Sequence, residues 1–469
     1  MTYANSDAPD GRLQRSCRPD HPGDRRQRSI GLRAARYGLF LLMLATMACR
    51  GSKHGRPSEH DASTSPATPL PATPDGLPDP DSFPRTTSPA IALGALDDRI
   101  AALERLFPGN ANQNGLRAQL IPMLISRARF LGKLDDYGRA LDHAEALVQA
   151  APKDTASYVA RAQILASLHR FAAAEADLDQ AVALGAIAGD FVMQRIQLAQ
   201  ARGQLDEAVK DAQNLVDKYP NFTNLIALAV IHGQRGEISA AENGFRAALA
   251  AWRDDSPFNL TWMCFQWGFL YEQNSMPSRA RYLYEIAHAH LPQYAEATGH
   301  LAGLLAQSGE TARARQLLDG LVTSSNDPEY VGQLAEIESK LGNSEHAAQL
   351  VTQASARFED LLARFPEAFA DHAARYFLAA GNNPTRAFEL AKRNLVVRQT
   401  AAAHTLALES ALRLGASTEA CSLAESASQV AYPSKQLLFQ IWRAFSACGR
   451  AEKAREVAAR LGIDDSSAP

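Results

Sequence analysis

The sequence predicts an all-α protein, a solenoid of about ten helix-turn-helix units. Three observations carry this. Beyond residue 95 alanine, leucine, glutamate, arginine and glutamine dominate, and these are good helix formers. Alternating β-branched runs, the mark of half-buried strands, are missing. An alanine returns mostly every 33–34 residues, with a glycine five residues ahead of most of its occurrences. A fixed period of that length means stacked copies of one supersecondary unit.

The elements follow in order. Residues 1–36 carry eight arginines against four aspartates. Tyr37–Ala48 then has no charge over twelve residues and ends at Cys49. A span of that length falls short of the ~20 apolar residues a membrane helix needs. A basic lead, a short apolar run and small residues before a cut describe a secretory signal. Thr46-Met47-Ala48-Cys49 resembles the end of a bacterial lipoprotein signal, with threonine where leucine is usual. The resemblance implies that Cys49 is lipidated and becomes the mature N-terminus. Residues 1–48 are therefore read as a targeting segment and 49–95 as a tether. Residues 50–90 contain nine prolines and almost no apolar side chains, too little to bury for folding. His54 and His60 in this stretch are read as solvated.

The repeat body is predicted over 96–463, with a short tail, 464–469. The recurring alanines are Ala140, Ala174, Ala208, Ala241, Ala280, Ala314, Ala347, Ala387, Ala420 and Ala454. Gly203, Gly236, Gly309, Gly342, Gly415 and Gly449 precede six of them and permit a tight turn between two helices. Pro152, Pro220 and Pro292 end second helices. Two irregularities stand out. The units near 222 and 261 lie further apart than the rest, so Trp252–Phe258 is expected to add a loop. ARFEDLLARFPEAF predicts a lengthened helix before Pro366. The unit over 367–399 keeps little of the pattern beyond Gly381 and Ala387.

From residue 260 the pattern is fullest. Trp267, Gly268, Tyr271, Ala280, Tyr284, Ala287 and Pro292 resemble the tetratricopeptide repeat position by position. The resemblance implies a right-handed superhelix whose first helices line a concave face that binds peptides or partner domains. The small Gly268 and Ala280 let paired helices approach, and the large residues fill the flanks. The stretch 262–271, WMCFQWGFLY, adds a second apolar face. At 100° per residue Cys264, Trp267, Gly268 and Tyr271 share one side, while Trp262, Phe265 and Phe269 share the other. By the resemblance the second side faces the groove. It reads either as a binding platform or as self-packed under Trp252 or Phe258. Ile226 and Val230 extend it on the preceding first helix. On the following one Glu296, Gly299 and Gly303 stand at the same positions, and the two glycines predict a hollow.

No catalytic signature is present: no HExxH, GxSxG, phosphate loop or CxxC. His288 and His290 are two apart and do not share a helix face. His232 is read as structural, and Glu175, Asp177 and Asp179 as a solvated face. Cys264 is expected to be buried and inert. Cys421 and Cys448 fall where a second helix meets the following first helix, so a disulfide between them is a candidate. The net charge of −3 gives no electrostatic reason for nucleic acid. The expectation is a non-catalytic protein or peptide scaffold with no cofactor or metal. It would be lipid-anchored in a bacterial envelope, facing the periplasm or exterior, or else secreted. An envelope-assembly factor and a carrier of a small apolar ligand are the alternatives.

Overall fold

The computed structural model describes residues 72–108 and 112–463. Every described residue belongs to one compact unit. The targeting segment, Cys49, His54, His60 and the tail at 464–469 lie outside the described residues.

Among the described residues there are 21 α-helices and no strand. A leading helix, α1 (Pro89–Leu106), precedes ten consecutive pairs. The first five are α2 (Gln113–Leu131) with α3 (Asp135–Ala150), α4 (Thr155–Ser167) with α5 (Phe171–Ala183), α6 (Val192–Arg202) with α7 (Leu205–Lys218), α8 (Phe222–Gln234) with α9 (Ile238–Ala250), and α10 (Pro257–Gln273) with α11 (Pro277–His290). The second five are α12 (Ala295–Ser308) with α13 (Thr311–Ser324), α14 (Pro328–Lys340) with α15 (Ser344–Arg364), α16 (Pro366–Leu378) with α17 (Pro384–Val397), α18 (Ala401–Leu414) with α19 (Ser417–Ala427), and α20 (Lys435–Ala447) with α21 (Ala451–Leu461).

The repeating alanines show why the pairs form. All ten are buried, because each sits where the two helices of a pair cross and a larger side chain would hold them apart. The turns share one backbone state. Each of the ten has a residue with positive φ: Gly132, His169, Gly203, Gly236, Ser275, Gly309, Gly342, Asn382, Gly415 and Gly449. Where glycine is lacking, the chain puts His169, Ser275 or Asn382 into that conformation at φ +57°, +59° and +41°. In the eighth turn the positive φ falls on Asn382, not on its neighbour Gly381. The lengthened helix is α15, of 21 residues, and the added loop is 251–256.

The described part of the segment read as a tether, residues 72–95, is folded onto the body. Residues 75–87 bond to α9, α11 and the 251–256 loop instead of extending freely. Leu77 and Phe83 are buried, Tyr282 Oη donates to Pro78 O at 2.6 Å, and Thr87 N donates to Asp255 O at 2.7 Å. Among the described residues the first α-helix begins at Pro89, inside that segment. Two apolar anchors, with the half-buried Arg246 and Arg279 donating to Gly76 O and Asp75 O, fix a segment that its composition alone would leave loose.

Early units also meet late ones. Asn326 N donates to Gly132 O at 3.0 Å, and Leu134 N donates to Asn326 Oδ1 at 2.6 Å. Arg357 and Arg364 both reach Asp135, at 3.0 and 2.7 Å. Gln399 N donates to Arg202 O at 3.3 Å, and Arg235 lies 4.3 Å over the Tyr432 ring. The inner faces of separate units therefore confront each other.

Candidate functional site

The inner faces divide into a filled part and an open part. The filled part centres on α10. Its stretch 262–271 is buried on both sides. On the packing side Trp267 stacks on Phe245 at 5.6 Å between centroids. A Cβ on Gly268 would come within 2.6 Å of the Tyr284 ring, so glycine sets how closely α11 approaches. Cys264 is buried, and burial pushes its thiol well above the usual range.

On the groove side Trp262 and Phe265 are 2% and 3% exposed. Phe265 contacts Tyr284, Tyr294 and His300 at 5.1–5.8 Å. Arg129 of α2 lies 5.8 Å over Trp262. These rings pack against the chain itself. The two loop aromatics sit elsewhere: Trp252 on Phe222 at 4.7 Å and Phe258 on Phe130 at 5.0 Å. The hollow expected at Gly299 is occupied, since the Tyr330 ring comes within 2.5 Å of where its Cβ would be. Gly303 is half-buried and Ile226 fully buried.

Polar groups complete the filled part. Glu272 accepts from Tyr284 Oη and pairs with His300 Nδ1, both at 2.7 Å. His372 Nδ1 donates to Glu329 at 2.8 Å. Burial opposes charge on His372, but Asp371 and Glu329 outweigh it and raise its pKa to about 9. Burial raises the Glu296 carboxyl, and burial with the Glu329 charge lifts Asp327 to about 7. His169 donates to Glu367 O at 3.2 Å, and burial depresses it to about 3. One acidic residue read as solvated is also internal. Asp177 is buried and takes two bonds from Arg161 at 2.7 Å, which removes the cost of leaving that charge unpaired.

The open part is a cavity of about 490 Å³ between α6, α8 and α10 on one side and α18 and α20 on the other. Val230 and Phe269, both expected on the inner face, line it. The rest of the wall was not legible beforehand. Seven glutamines line it, with Arg235, Arg375, Arg398, Lys435 and His404, and no aspartate or glutamate. Asp371 behind the wall takes Arg398 at 3.1 Å and Arg375 at 3.4 Å, one carboxylate for two guanidiniums. Arg235 is held by Asp206 and Glu237. His404 is 3% exposed, and burial lowers the pKa of its imidazole. Its Nδ1, with Gln234 Oε1 and Gln273 Nε2, has no hydrogen-bond partner among the described residues. At one end Gly203 closes the cavity against the α17–α18 connection. A Cβ there would lie 2.6 Å from Gln399 O, and its φ is +87°.

The connection between α19 and α20 forms another wall, with Val430, Tyr432 and Pro433. A disulfide joins Cys421, in the first half of α19, to Cys448 at the end of α20, with 6.0 Å between the Cα atoms. Among the described residues no cluster of His, Cys, Asp and Glu could hold a metal ion, and no helix is long and apolar enough to cross a membrane.

Residues 273–337 match the tetratricopeptide repeat family model, in the region where the sequence pattern is fullest. No curated protein matches the chain. Solved structures similar to it include a human IFIT1 dimer with PPP-AAAA, at 13% identity, covering 79% of this chain and 95% of that one, with a TM-score of 0.38. A tetratricopeptide repeat protein from Parabacteroides merdae is similar at 14% identity over 55% of this chain and 98% of that one, TM-score 0.33. The Naa15/Naa10 complex bound to HypK-THB is similar at 12% identity over 79% and 67%, TM-score 0.24.

Proposed function

We propose that this protein is a non-catalytic interaction scaffold that holds a segment of a partner protein in the open part of its inner face. The cavity between α6–α10 and α18–α20 carries the proposal. Its size lies within the ~300–1,000 Å³ typical of ligand sites, and it combines an apolar wall with convergent polar groups. The repeat fold supports a binding role, because stacked helix pairs present extended inner surfaces to partners. Trp262 and Phe265 serve in this reading as the floor that holds α10 rigid, and Phe269 and Val230 as contacts. The chain would be exported and held at a bacterial membrane by lipid on Cys49, with the partner met in the periplasm or outside.

The test uses an Ala402→Trp variant, which puts an indole into the cavity from a half-buried position on α18. Cross-linking in cells of the source organism, with melting curves for both proteins, should show a partner lost while the melting temperature holds. An unchanged partner set would remove the cavity from the binding surface. Cys49→Ser should release the protein from the membrane fraction, and continued sedimentation with membranes would end the lipid-anchor reading.

A further inference from the structure

We infer that the cavity recognises a carboxylate carried by an extended peptide, either an Asp or Glu side chain or a free C-terminus. The inference rests on the binding reading above and gives it a chemistry.

Four features support it. The first is the one-sided charge of the wall, with basic side chains and no carboxylate among its lining residues. The second is a pair of helix starts. The N-cap and first residues of both α18 (Thr400, Ala401, Ala402) and α20 (Ser434, Lys435, Gln436) border the cavity. Neither helix has an acidic residue in its first turn to meet the positive end of its dipole. The caps serve only Ala403 N and Leu437 N. The earlier amides have no intrahelical acceptor and favour an anion.

The third feature is the opposite wall, where the helix ends have spent their carbonyls. Gly203 N donates to Gln200 O, Gly236 N to Gly233 O and Met276 N to Tyr271 O. Backbone donors are left over at the two helix starts, while these three backbone carbonyls are taken on the opposite wall. The fourth is His404, almost fully buried in the wall, whose Nδ1 has no partner among the described residues.

The same observations favour a peptide over a phosphate-rich ligand. Asp371, Asp206 and Glu237 already balance the three arginines, so the excess positive charge is small. It suits one or two carboxylates and not a polyphosphate. Glutamine amides offer a donor and an acceptor together, which matches the alternating C=O and N–H of an extended backbone.

The experiment measures fluorescence anisotropy of labelled hexapeptide pools on the whole protein. One pool carries two Asp or Glu with an amidated C-terminus, one carries Gln and Asn instead with a free C-terminus, and one carries Gln and Asn with an amide. At least one acid-bearing pool should bind tenfold or more tightly than the neutral amide, and which one does identifies the source of the carboxylate. Lys435→Glu, at an exposed position, should weaken acidic binding about tenfold and leave the neutral pool unchanged. Equal binding of all three pools would overturn the inference while leaving a peptide site in place. Displacement by inorganic diphosphate at lower concentration than by acidic peptide would also overturn it. If no pool binds, the carboxylate reading fails, and the Ala402→Trp cross-linking decides whether the scaffold reading fails with it.

Discussion

The two parts of the inner face are built from the same repeat and end in opposite states. Around α10, α12 and α14 the inward positions carry Trp262, Phe265, Tyr294 and Tyr330, and helix α2 closes over them with Arg129. Around α6, α8, α18 and α20 the inward positions carry glutamines, glycines and small residues, and a cavity of about 490 Å³ is left. Large rings facing each other fill the space and become core. Short or solvated side chains facing each other do not. The repeat sets where inward positions fall, and side-chain volume decides whether they serve stability or recognition.

The sharpest way to break this contrast is truncation in the filled part. Trp262→Ala/Phe265→Ala removes two buried rings. Each such loss costs about 3–5 kcal/mol, so the double variant should melt far below wild type or fail to fold. Circular dichroism melts check this. A near-normal melting temperature would mean that the rings are not core.

Titration of the filled part comes next. The His372 pKa rises from 6.5 to about 9 on folding. The folded state holds this proton more tightly, so its contribution is fully present below pH 6.5 and lost as pH rises through about 9. Asp327, lifted from 3.8 to about 7, acts in the same direction between those values. Chemical denaturation should show stability falling between pH 6.5 and 9.5, with a His372 share of about 3 kcal/mol. His372→Gln should flatten that slope. An equally steep slope in the variant would place the proton elsewhere.

At one end of the cavity, where the α6–α7 turn meets the α17–α18 connection, stands Gly203. Gly203→Ala meets a left-handed backbone and the Gln399 carbonyl at once. The left-handed conformation alone costs about 1–2 kcal/mol, and the contact adds to it. The same substitution at Gly309, whose φ is +90° with open space around it, should cost only the backbone part. The difference between the two losses isolates the closure of the cavity, and equal losses would show that this contact bears no load.

The fold was largely legible because its period is local. Ten alanines and six glycines marked pairs that the structure contains, since each crossing and turn depends on residues close in sequence. The turns at His169, Ser275 and Asn382 were harder, because side chains tolerate that backbone state without announcing it. The two apolar faces of 262–271 could be separated by angle, and the alternative of self-packing was open from the start. What closed over them could not be read. Arg129 lies well over a hundred positions from Trp262, and Tyr330 was not connected with Gly299. The cavity wall was illegible for the same reason. Arg375, Arg398, His404 and Lys435 come from the units that kept least of the pattern or lay furthest along the chain. They face α8 only because distant units confront each other, and no periodicity states which units those will be.

The smallest expected effect gives the finest version of the comparison. Gln273 Nε2 and Gln234 Oε1 line the cavity with no hydrogen-bond partner among the described residues, and the space beside them is roomy enough for water. Removing such a side chain at these atoms breaks no hydrogen bond among the described residues and opens no sealed void. Gln273→Ala should therefore change stability by no more than about 0.5 kcal/mol. Tyr284→Phe, in the filled part, deletes one hydroxyl but leaves the buried Glu272 carboxylate short of a donor. That should cost about 1–3 kcal/mol. A small polar deletion should thus be costlier in the filled part than a large one in the open part. Ordering by burial and satisfaction, and not by the number of atoms removed, is what a surface kept free for a ligand requires. If Gln273→Ala proves as costly as Tyr284→Phe, the glutamine wall is structural and the cavity is not a surface held open for binding.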